Sequence, residues 1–195
     1  GHTDLIMMNG DYEFKHLGGT LDDAIGECYD KVARVLDLKY PGGPNVEKMA
    51  LSGKHTYDLP IPMNDESFNM SFSGLKSSII NLVHNEKQRG HEIIKEDLAR
   101  SFQDVAIDQL IRKSEIAIKK YNVKNMIVAG GVSANKYLRE ELKKLTEKYG
   151  VSLSVPKMLY CTDNAAMIGA AAYPLYLKGQ FADLDLNATS SDLLY

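Results

Sequence analysis

Residues 126–139, MIVAGGVSANKYLR, constrain the fold of this chain more than any other stretch. The apolar run from Met126 to Ala129 predicts a buried strand, which Gly130-Gly131 ends. Ser133 then stands where a helix N-cap belongs, ahead of a polar helical sequence. A strand, a glycine pair and a helix N-terminus can bind an anion or a nucleotide, because the first helical amides point toward it. A turn used only for packing gives the same pattern, so this stretch alone leaves both interpretations open.

Length and composition indicate a single domain of a cytoplasmic protein. The chain has 195 residues, 44% of them hydrophobic, which suffices for one sizeable core. Its net charge of −3 implies no general attraction to nucleic acid, although a local basic patch is compatible with it. Cys28 and Cys161 are the only cysteines and lack CxxC spacing, which predicts reduced thiols. No apolar run approaches the roughly 20 residues of a membrane span, so we expect no membrane contact.

The N-terminal residues predict a β-hairpin. Two β-type runs, 3–8 and 12–17, flank Asn9-Gly10-Asp11, and Asn-Gly between such runs is a strong hairpin signal. The chain starts at Gly1, without an initiator methionine and at the edge of a predicted strand. We therefore expect it to be a fragment of a longer protein.

A helix is predicted to begin at Thr20, with Asp23 completing a near capping box. Helical spacing assigns its core stripe to Leu21, Ile25, Cys28, Val32, Val35 and Leu36. The opposite face stacks Asp23, Glu27 and Asp30. A solvated acidic face, moderated by nearby lysine and arginine, is the simpler interpretation. A face that meets sugar hydroxyls or a hydrated metal is the functional alternative.

Several further segments have both a structural and a functional interpretation. The loop 41–44, PGGP, leads into a predicted helix over 45–51 that carries Glu47, and it is either a second backbone platform or a tight connection. The sequence SFSG is either a hydroxyl cluster near a ligand or a strand end with a capping serine. The remaining predicted elements are a half-buried strand over 68–72, helices over 75–88 and 93–121, a β-segment over 151–155, and a helix over 161–177 capped by Thr162 or Asp163.

Four strings occur in a fixed order: TLDDAIGECYDKVARVLDLKYPGGP, FSGLK, GGVSANKYLR and CTDNAAMIG. Together they closely resemble the TsaD family, the tRNA N6-threonylcarbamoyladenosine transferases, in its bacterial form. The resemblance covers residue 1 to about 171. It implies an α/β fold, the RNase H-like lobe of the actin, Hsp70 and sugar-kinase (ASKHA) fold, with a mixed sheet flanked by helices. It also implies that residues 1–195 are one domain, the second lobe, and that the first lobe is absent.

The resemblance assigns a nucleotide site to this lobe. Asp30, Gly43 and Glu47 would contact the adenosine part of the ligand, with the carboxylates taking ribose hydroxyls. Asn135 would contact the same ligand. Gly1 would be the last glycine of a nucleotide-contacting segment that begins upstream.

A metal site and a reaction are implied in the same way. Asp163 would bind iron or zinc together with two histidines of an HxxxH motif, and that metal would polarise the threonylcarbamoyl group. The five histidines here, at 2, 16, 55, 84 and 91, do not have this spacing, so we expect the two ligands in the first lobe. Threonylcarbamoyl-AMP would donate its acyl group to N6 of A37 in tRNAs that read codons starting with A. The implied partners are tRNA, the paralogue TsaB and the ATPase TsaE.

Three alternatives to a transferase lobe stay open at the level of sequence. The chain could be a non-catalytic module that binds a nucleotide or a protein partner. A metalloprotease is disfavoured, because it needs two histidines and a glutamate base around the metal. Another actin-like enzyme, such as a sugar kinase, would need a catalytic aspartate that this chain does not reveal. The isolated fragment is expected to be inactive, since a cleft with one wall binds weakly.

Overall fold

The computed structural model describes residues 1–187, and within them six α-helices and two small sheets form a mixed α/β fold. Residues 188–195 of the predicted domain lie outside the described residues. In chain order the elements are β1 (Asp4–Gly10), β2 (Glu13–Gly19), α1 (Ile25–Val35), α2 (Gly42–Ala50), α3 (Ser73–Gln88), α4 (Lys95–Tyr121), β3 (Asn125–Ile127), α5 (Lys136–Tyr149), β4 (Ser152–Ser154) and α6 (Ala165–Leu177). Short 3-10 turns cover Gly131–Ala134 and Met158–Tyr160.

The strands of the described residues form two separate pairs rather than the single mixed sheet that we expected. Strands β1 and β2 are antiparallel, and β3 and β4 are parallel. The predicted strand over 68–72 is reduced to one bridge between Met70 and Thr20. Side chains take its amides, since Ser71 N donates to Gln109 Oε1 at 3.1 Å and Phe72 N donates to Asp22 Oδ1 at 2.8 Å.

The predicted N-terminal hairpin is confirmed, but its turn lies two residues later than expected. Asn9 and Gly10 remain in β1, where Gly10 pairs with Glu13. The turn is formed by Asp11 and Tyr12, and Tyr12 has a left-handed φ of 66°. The Asn-Gly signal therefore located the hairpin but not the turn residues.

Helix α1 begins at Ile25, so the predicted start at Thr20 is wrong. The Thr20 hydroxyl donates to the carbonyl oxygen of Asp23 at 2.7 Å, and Leu21 N donates to Met70 O at 2.9 Å. These contacts hold residues 20–23 in a bent, non-helical connection. Leu21 is consequently 65% exposed, whereas the predicted core residues Ile25, Cys28, Val32 and Leu36 are buried.

The main core lies between α1, α2, α3 and α4. Its centre contains an edge-to-face contact between Tyr29 and Phe102, whose ring centroids are 4.8 Å apart. Met70, Phe72 and Leu75 close the core from the segment that leads into α3. Smaller clusters pack α5 against α4 and the parallel strand pair. Helices α1, α2 and α5 therefore all pack against α4.

The parallel pair is short and half-covered. Strand β3 has three residues, and Ile127 at its end is 70% exposed. The prediction of a buried strand over 126–129 is therefore wrong, because α5 and α4 cover one face and no described residue covers the other.

Helix α6 contributes no buried side chain to the described structure. Ile168 is 62% exposed, and Tyr173, Tyr176 and Leu177 are similarly open. Asn164 caps the helix by accepting from Met167 N at 3.0 Å, so the predicted caps Thr162 and Asp163 are wrong. No helix in residues 1–187 combines the length and apolarity needed to cross a membrane.

Candidate functional site

Asp30 connects the first two helices. Its Oδ1 accepts a hydrogen bond from Gly42 N at 2.7 Å, which satisfies one of the free amides at the start of α2. The close approach requires glycine, because a Cβ on Gly42 would lie 2.6 Å from the Cα of Asp30. The next residue, Gly43, faces open space, since a Cβ there would meet no atom within 4 Å. The N-terminus of α2 is thus fixed on α1 while Gly43 stays accessible.

Glu47 connects α2 to α5. Its Oε1 accepts from the backbone amide of Lys136, the first residue of α5, at 2.6 Å. A carboxylate at a helix N-terminus interacts favourably with the helix dipole. This bond sets Glu47 directly beside Asn135, the residue before Lys136.

Asn135 is the N-cap of α5, and the predicted cap at Ser133 is wrong because residues 131–134 form a 3-10 turn. Its Oδ1 accepts from Leu138 N at 2.8 Å, and its Nδ2 donates to Gln103 Oε1 at 3.1 Å. The same Gln103 oxygen accepts from the Tyr29 hydroxyl at 3.5 Å. Asn135 is only 7% exposed, and because both ends of its amide are hydrogen-bonded, its orientation is fixed.

The first residues of the chain lie at the start of α1. Thr3 Oγ1 accepts from Ile25 N at 3.0 Å, and a Cβ on Gly1 would lie 3.6 Å from the Cβ of Ala24. The 3-10 turn approaches the same helix, since a Cβ on Gly26 would lie 3.3 Å from Val132 Cγ2. Gly1 and the glycine turn therefore both border α1.

Asp30 and Glu47 thus hold the N-termini of α2 and α5, where Gly43 and Asn135 lie. Asp30 and Glu47 each use one carboxylate oxygen for a backbone amide, and within residues 1–187 the other oxygen has no hydrogen bond. Those two oxygens can accept ribose hydroxyls without releasing the helix ends. The backbone at Gly43 is open beside them, since no atom lies within 4 Å of a Cβ placed there.

The acidic face predicted for the first helix divides into two parts. Asp23 and Glu27 both bind Lys31, at 2.7 and 2.6 Å, so they form ion pairs, as in the simpler interpretation, although Asp23 is mostly covered. Asp30 separates from them by bonding to α2. Only one of the three stacked carboxylates is therefore available to the candidate site.

The two serines of SFSG bind Asp22, a residue that the sequence pattern did not single out. The carboxylate of Asp22 accepts from the hydroxyls of Ser71 and Ser73 at 2.5 and 2.6 Å, and from the amides of Phe72 and Ser73. Partial desolvation alone would raise the pKa of Asp22, but these hydrogen bonds outweigh it and lower the pKa to about 2. Asp22 caps the start of α3 from a distance, which favours the structural interpretation of SFSG.

Gln103 is a second residue that the sequence pattern did not single out. It lies on the buried side of α4 and is 2% exposed. A polar residue on an apolar helical stripe is the only sequence signal that could have marked it. In the structure its side-chain oxygen accepts from both Asn135 and Tyr29, and so it connects the candidate site to the main core.

Asp163 lies before α6 and its side chain makes no hydrogen bond within residues 1–187. Because Asn164 takes the capping role, the carboxylate of Asp163 is not used as a cap. No group of three histidine, cysteine, aspartate or glutamate side chains in the described residues is placed to hold a metal. The described residues alone therefore do not fit a metal centre.

Residues 1–170 match the model of the family described as TsaD: tRNA N6-adenosine threonylcarbamoyltransferase. The chain belongs to the TsaD family. A curated relative from Staphylococcus haemolyticus, named tRNA N6-adenosine threonylcarbamoyltransferase, is 52% identical over 192 residues. The match covers 98% of this chain and 56% of the relative. A second relative of the same name, from Bacillus thuringiensis, is 52% identical over 190 residues, covering 96% and 55%. The chain thus spans little more than half the length of these TsaD relatives.

The fold also resembles part of a solved structure, T. kodakarensis HypF. The TM-score is 0.57 at 20% sequence identity, and the match covers 86% of this chain and 21% of HypF. At this identity the likeness concerns the fold alone.

Proposed function

We propose that this chain is the nucleotide-binding lobe of a tRNA N6-adenosine threonylcarbamoyltransferase. The observation that carries the proposal is that hydrogen bonds from Asp30 and Glu47 hold the N-termini of α2 and α5, where Gly43 and Asn135 lie. The TsaD family membership supplies the reaction. Because the chain spans about half of its relatives, we propose the activity for a longer protein that contains it, and expect the isolated chain to be inactive.

The proposed reaction transfers an acyl group between two nucleotides. The N6 amine of A37 in tRNA attacks the carbamoyl carbon of threonylcarbamoyl-AMP. A carbon–nitrogen bond forms, the bond from that carbon to the phosphate oxygen breaks, and AMP leaves with the bonding electrons. The nitrogen loses one proton. Such a transfer depends chiefly on orientation and on stabilisation of developing charge rather than on a protein nucleophile.

The residues of this chain would bind and orient the adenylate half of the donor. The free oxygens of Asp30 and Glu47 would accept the ribose hydroxyls, while the absence of a side chain at Gly43 lets the ligand approach the backbone. Asn135, held between Leu138 and Gln103, would present a fixed amide edge. A preorganised set of this kind lowers the entropic cost of orienting the donor.

The proposed architecture is one lobe of the ASKHA fold, with Gly1 continuing a nucleotide-contacting segment. The exposed apolar side chains along α6 support the proposal that a second lobe covers this helix. We also propose that Asp163 gives one ligand to an iron or zinc ion whose two histidine ligands come from outside this chain. TsaB, TsaE and tRNA would be the partners, in the cytoplasm.

Mass spectrometry of tRNA nucleosides tests the proposed function. The longer protein that contains this chain is incubated with threonylcarbamoyl-AMP and an unmodified tRNA that reads an ANN codon. The proposal predicts threonylcarbamoyladenosine at position 37, and none in a matched tRNA with guanosine at that position. Nucleotide binding without any modification of A37 would instead indicate a non-catalytic binding module.

A further inference from the structure

Arg139 lies in the first turn of α5 and contacts three separate segments. Its Nε donates to the carbonyl oxygen of Ser133 at 2.5 Å. Its Nη2 donates to the carbonyl oxygen of Pro156 at 2.9 Å and to the sulfur of Cys161 at 3.2 Å. One guanidinium thus ties the glycine turn to the loop after β4 and to the segment that carries Asp163.

The type of acceptor distinguishes Arg139 from the surface cations of the chain. Lys31, Lys95 and Arg112 all pair with carboxylates, whereas Arg139 pairs with no carboxylate in residues 1–187. Its acceptors are two backbone carbonyls and a buried thiol, and the side chain is half-buried. Contacts of this kind fix the relative position of backbone segments rather than balancing charge.

The shape of the guanidinium is needed for this arrangement. Its nitrogens form a planar fork with fixed directions, so Nε and Nη2 can serve acceptors on different segments at once. A lysine has one ammonium nitrogen on a flexible stem and cannot reproduce the fork. Replacement by lysine therefore keeps the charge and removes the geometry.

We propose that Arg139 is a positioning residue that sets the placement of Asn135 relative to Asp163, and thereby the orientation of the acyl donor. Asn135 caps the helix on which Arg139 lies, and Asp163 follows Cys161 by two positions. Within residues 1–187, the Arg139 guanidinium joins the turn before Asn135 to the segment before Asp163 by side-chain hydrogen bonds. This inference rests on the proposed transferase function, because it assigns a task in that reaction.

The test compares Arg139→Lys with the matched control Arg112→Lys in the longer protein that contains this chain. Arg112 is also a half-buried helical arginine with two side-chain acceptors, Asp108 and Asn64, but it touches neither segment. We expect Arg139→Lys to lower kcat for A37 modification by about 10- to 100-fold, as a displaced reacting group does. The KM for tRNA should stay within about twofold, and Arg112→Lys should leave both constants near wild type.

Equal losses of thermal stability in both variants, with kcat per folded molecule unchanged, would overturn the proposal and leave Arg139 a structural residue. A double-mutant cycle with Cys161→Ala adds a second criterion. We expect Cys161→Ala to lower kcat less than Arg139→Gln, and the double variant to be no worse than Arg139→Gln alone. Fully additive effects would contradict the inferred contact.

The wild-type protein separates this inference from the proposed function. If wild type modifies A37 but Arg139→Lys does so equally well, only the positioning role fails. If wild type binds tRNA and donor without modifying A37, the proposed function fails.

Discussion

At the scale of single residues, Asn135 serves the fold and the proposed site at the same time. Its oxygen caps α5 and its amide nitrogen binds a glutamine that is buried against the main core. Asn is a strong N-cap, so the sequence made a cap here chemically plausible. The cap was nevertheless predicted two positions early, at Ser133, because the 3-10 turn between them leaves no signal in the residue types.

Substitution of Asn135 can separate these two tasks. Serine caps a helix about as well as asparagine, whereas alanine loses about 1 kcal/mol. We expect Asn135→Ser to be more stable than Asn135→Ala by about 1 kcal/mol in urea unfolding. Both should lower A37 modification by about tenfold or more, since neither presents the amide; a tenfold loss corresponds to about 1.4 kcal/mol. Normal modification by Asn135→Ser would contradict the role assigned to the amide.

Asp22 gives a pH prediction at the same scale. Its pKa in the folded chain is about 2, below the ordinary 3.8 of a free aspartate. The ionised carboxylate therefore stabilises the fold above about pH 4, and this contribution is lost as the pH falls toward 2. We expect Asp22→Asn to be less stable than wild type by about 1 kcal/mol at neutral pH, after allowance for the exposure of Asp22.

Urea unfolding at several pH values checks this account of Asp22. The stability difference between wild type and Asp22→Asn should shrink between about pH 4 and about pH 2. A difference that is constant over this range would indicate that the carboxylate contributes only through its shape.

At the scale of elements, the neighbouring glycines of α2 have opposite surroundings. A Cβ on Gly42 would collide with the backbone of α1, whereas a Cβ on Gly43 would meet nothing. Gly42→Ala should therefore destabilise the chain by about 1–3 kcal/mol through overpacking. Gly43→Ala should stabilise it by about 0.4–1 kcal/mol, because the unfolded chain loses freedom.

The Gly43→Ala variant also separates an effect on ligand binding from an effect on stability. If a nucleotide approaches the backbone at Gly43, Gly43→Ala should weaken donor binding even though the fold gains stability. Isothermal titration with threonylcarbamoyl-AMP measures this. Unchanged affinity in a stabilised Gly43→Ala variant would remove Gly43 from the site.

Elements with local signals were predicted well, and elements set by distant side chains were not. Helices α3, α4 and α5 follow their apolar spacing, and α5 ends at Gly150 in the left-handed conformation that favours glycine. The predictions for the start of α1 and for a strand over 68–72 were wrong. Met70 O accepts from Leu21 N ahead of α1, and the side chains of Asp22 and Gln109 accept the amides of 71–72. The family resemblance supplied the candidate site residues, but only the structure showed that Gln103 binds Asn135 and that Arg139 joins Ser133, Pro156 and Cys161.

At the scale of the whole molecule, α6 is the element that the described residues leave open. Its exposed residues include Met167, Ile168, Tyr173 and Tyr176. Helices with few buried contacts open at low free energy. We therefore expect the amides of α6 to exchange hydrogen much faster than those of α4 when the chain is isolated.

The longer protein should slow this exchange if a second body covers α6. Hydrogen exchange followed by mass spectrometry compares the 195-residue chain with that protein. Protection of α6 only in the longer protein is the expected result. Equal exchange in both would contradict a covering lobe on this helix.

We propose that residues of α1 and α2 and the N-terminus of α5 build one wall of a nucleotide cleft. Amide chemical-shift mapping tests it most directly, with the longer protein isotope-labelled and titrated with threonylcarbamoyl-AMP. We expect saturable shifts at Gly43, Glu47 and Lys136, and their loss in Asn135→Ser. Saturable shifts confined to another surface, such as the groove lined by Arg112 and Lys119, would contradict it.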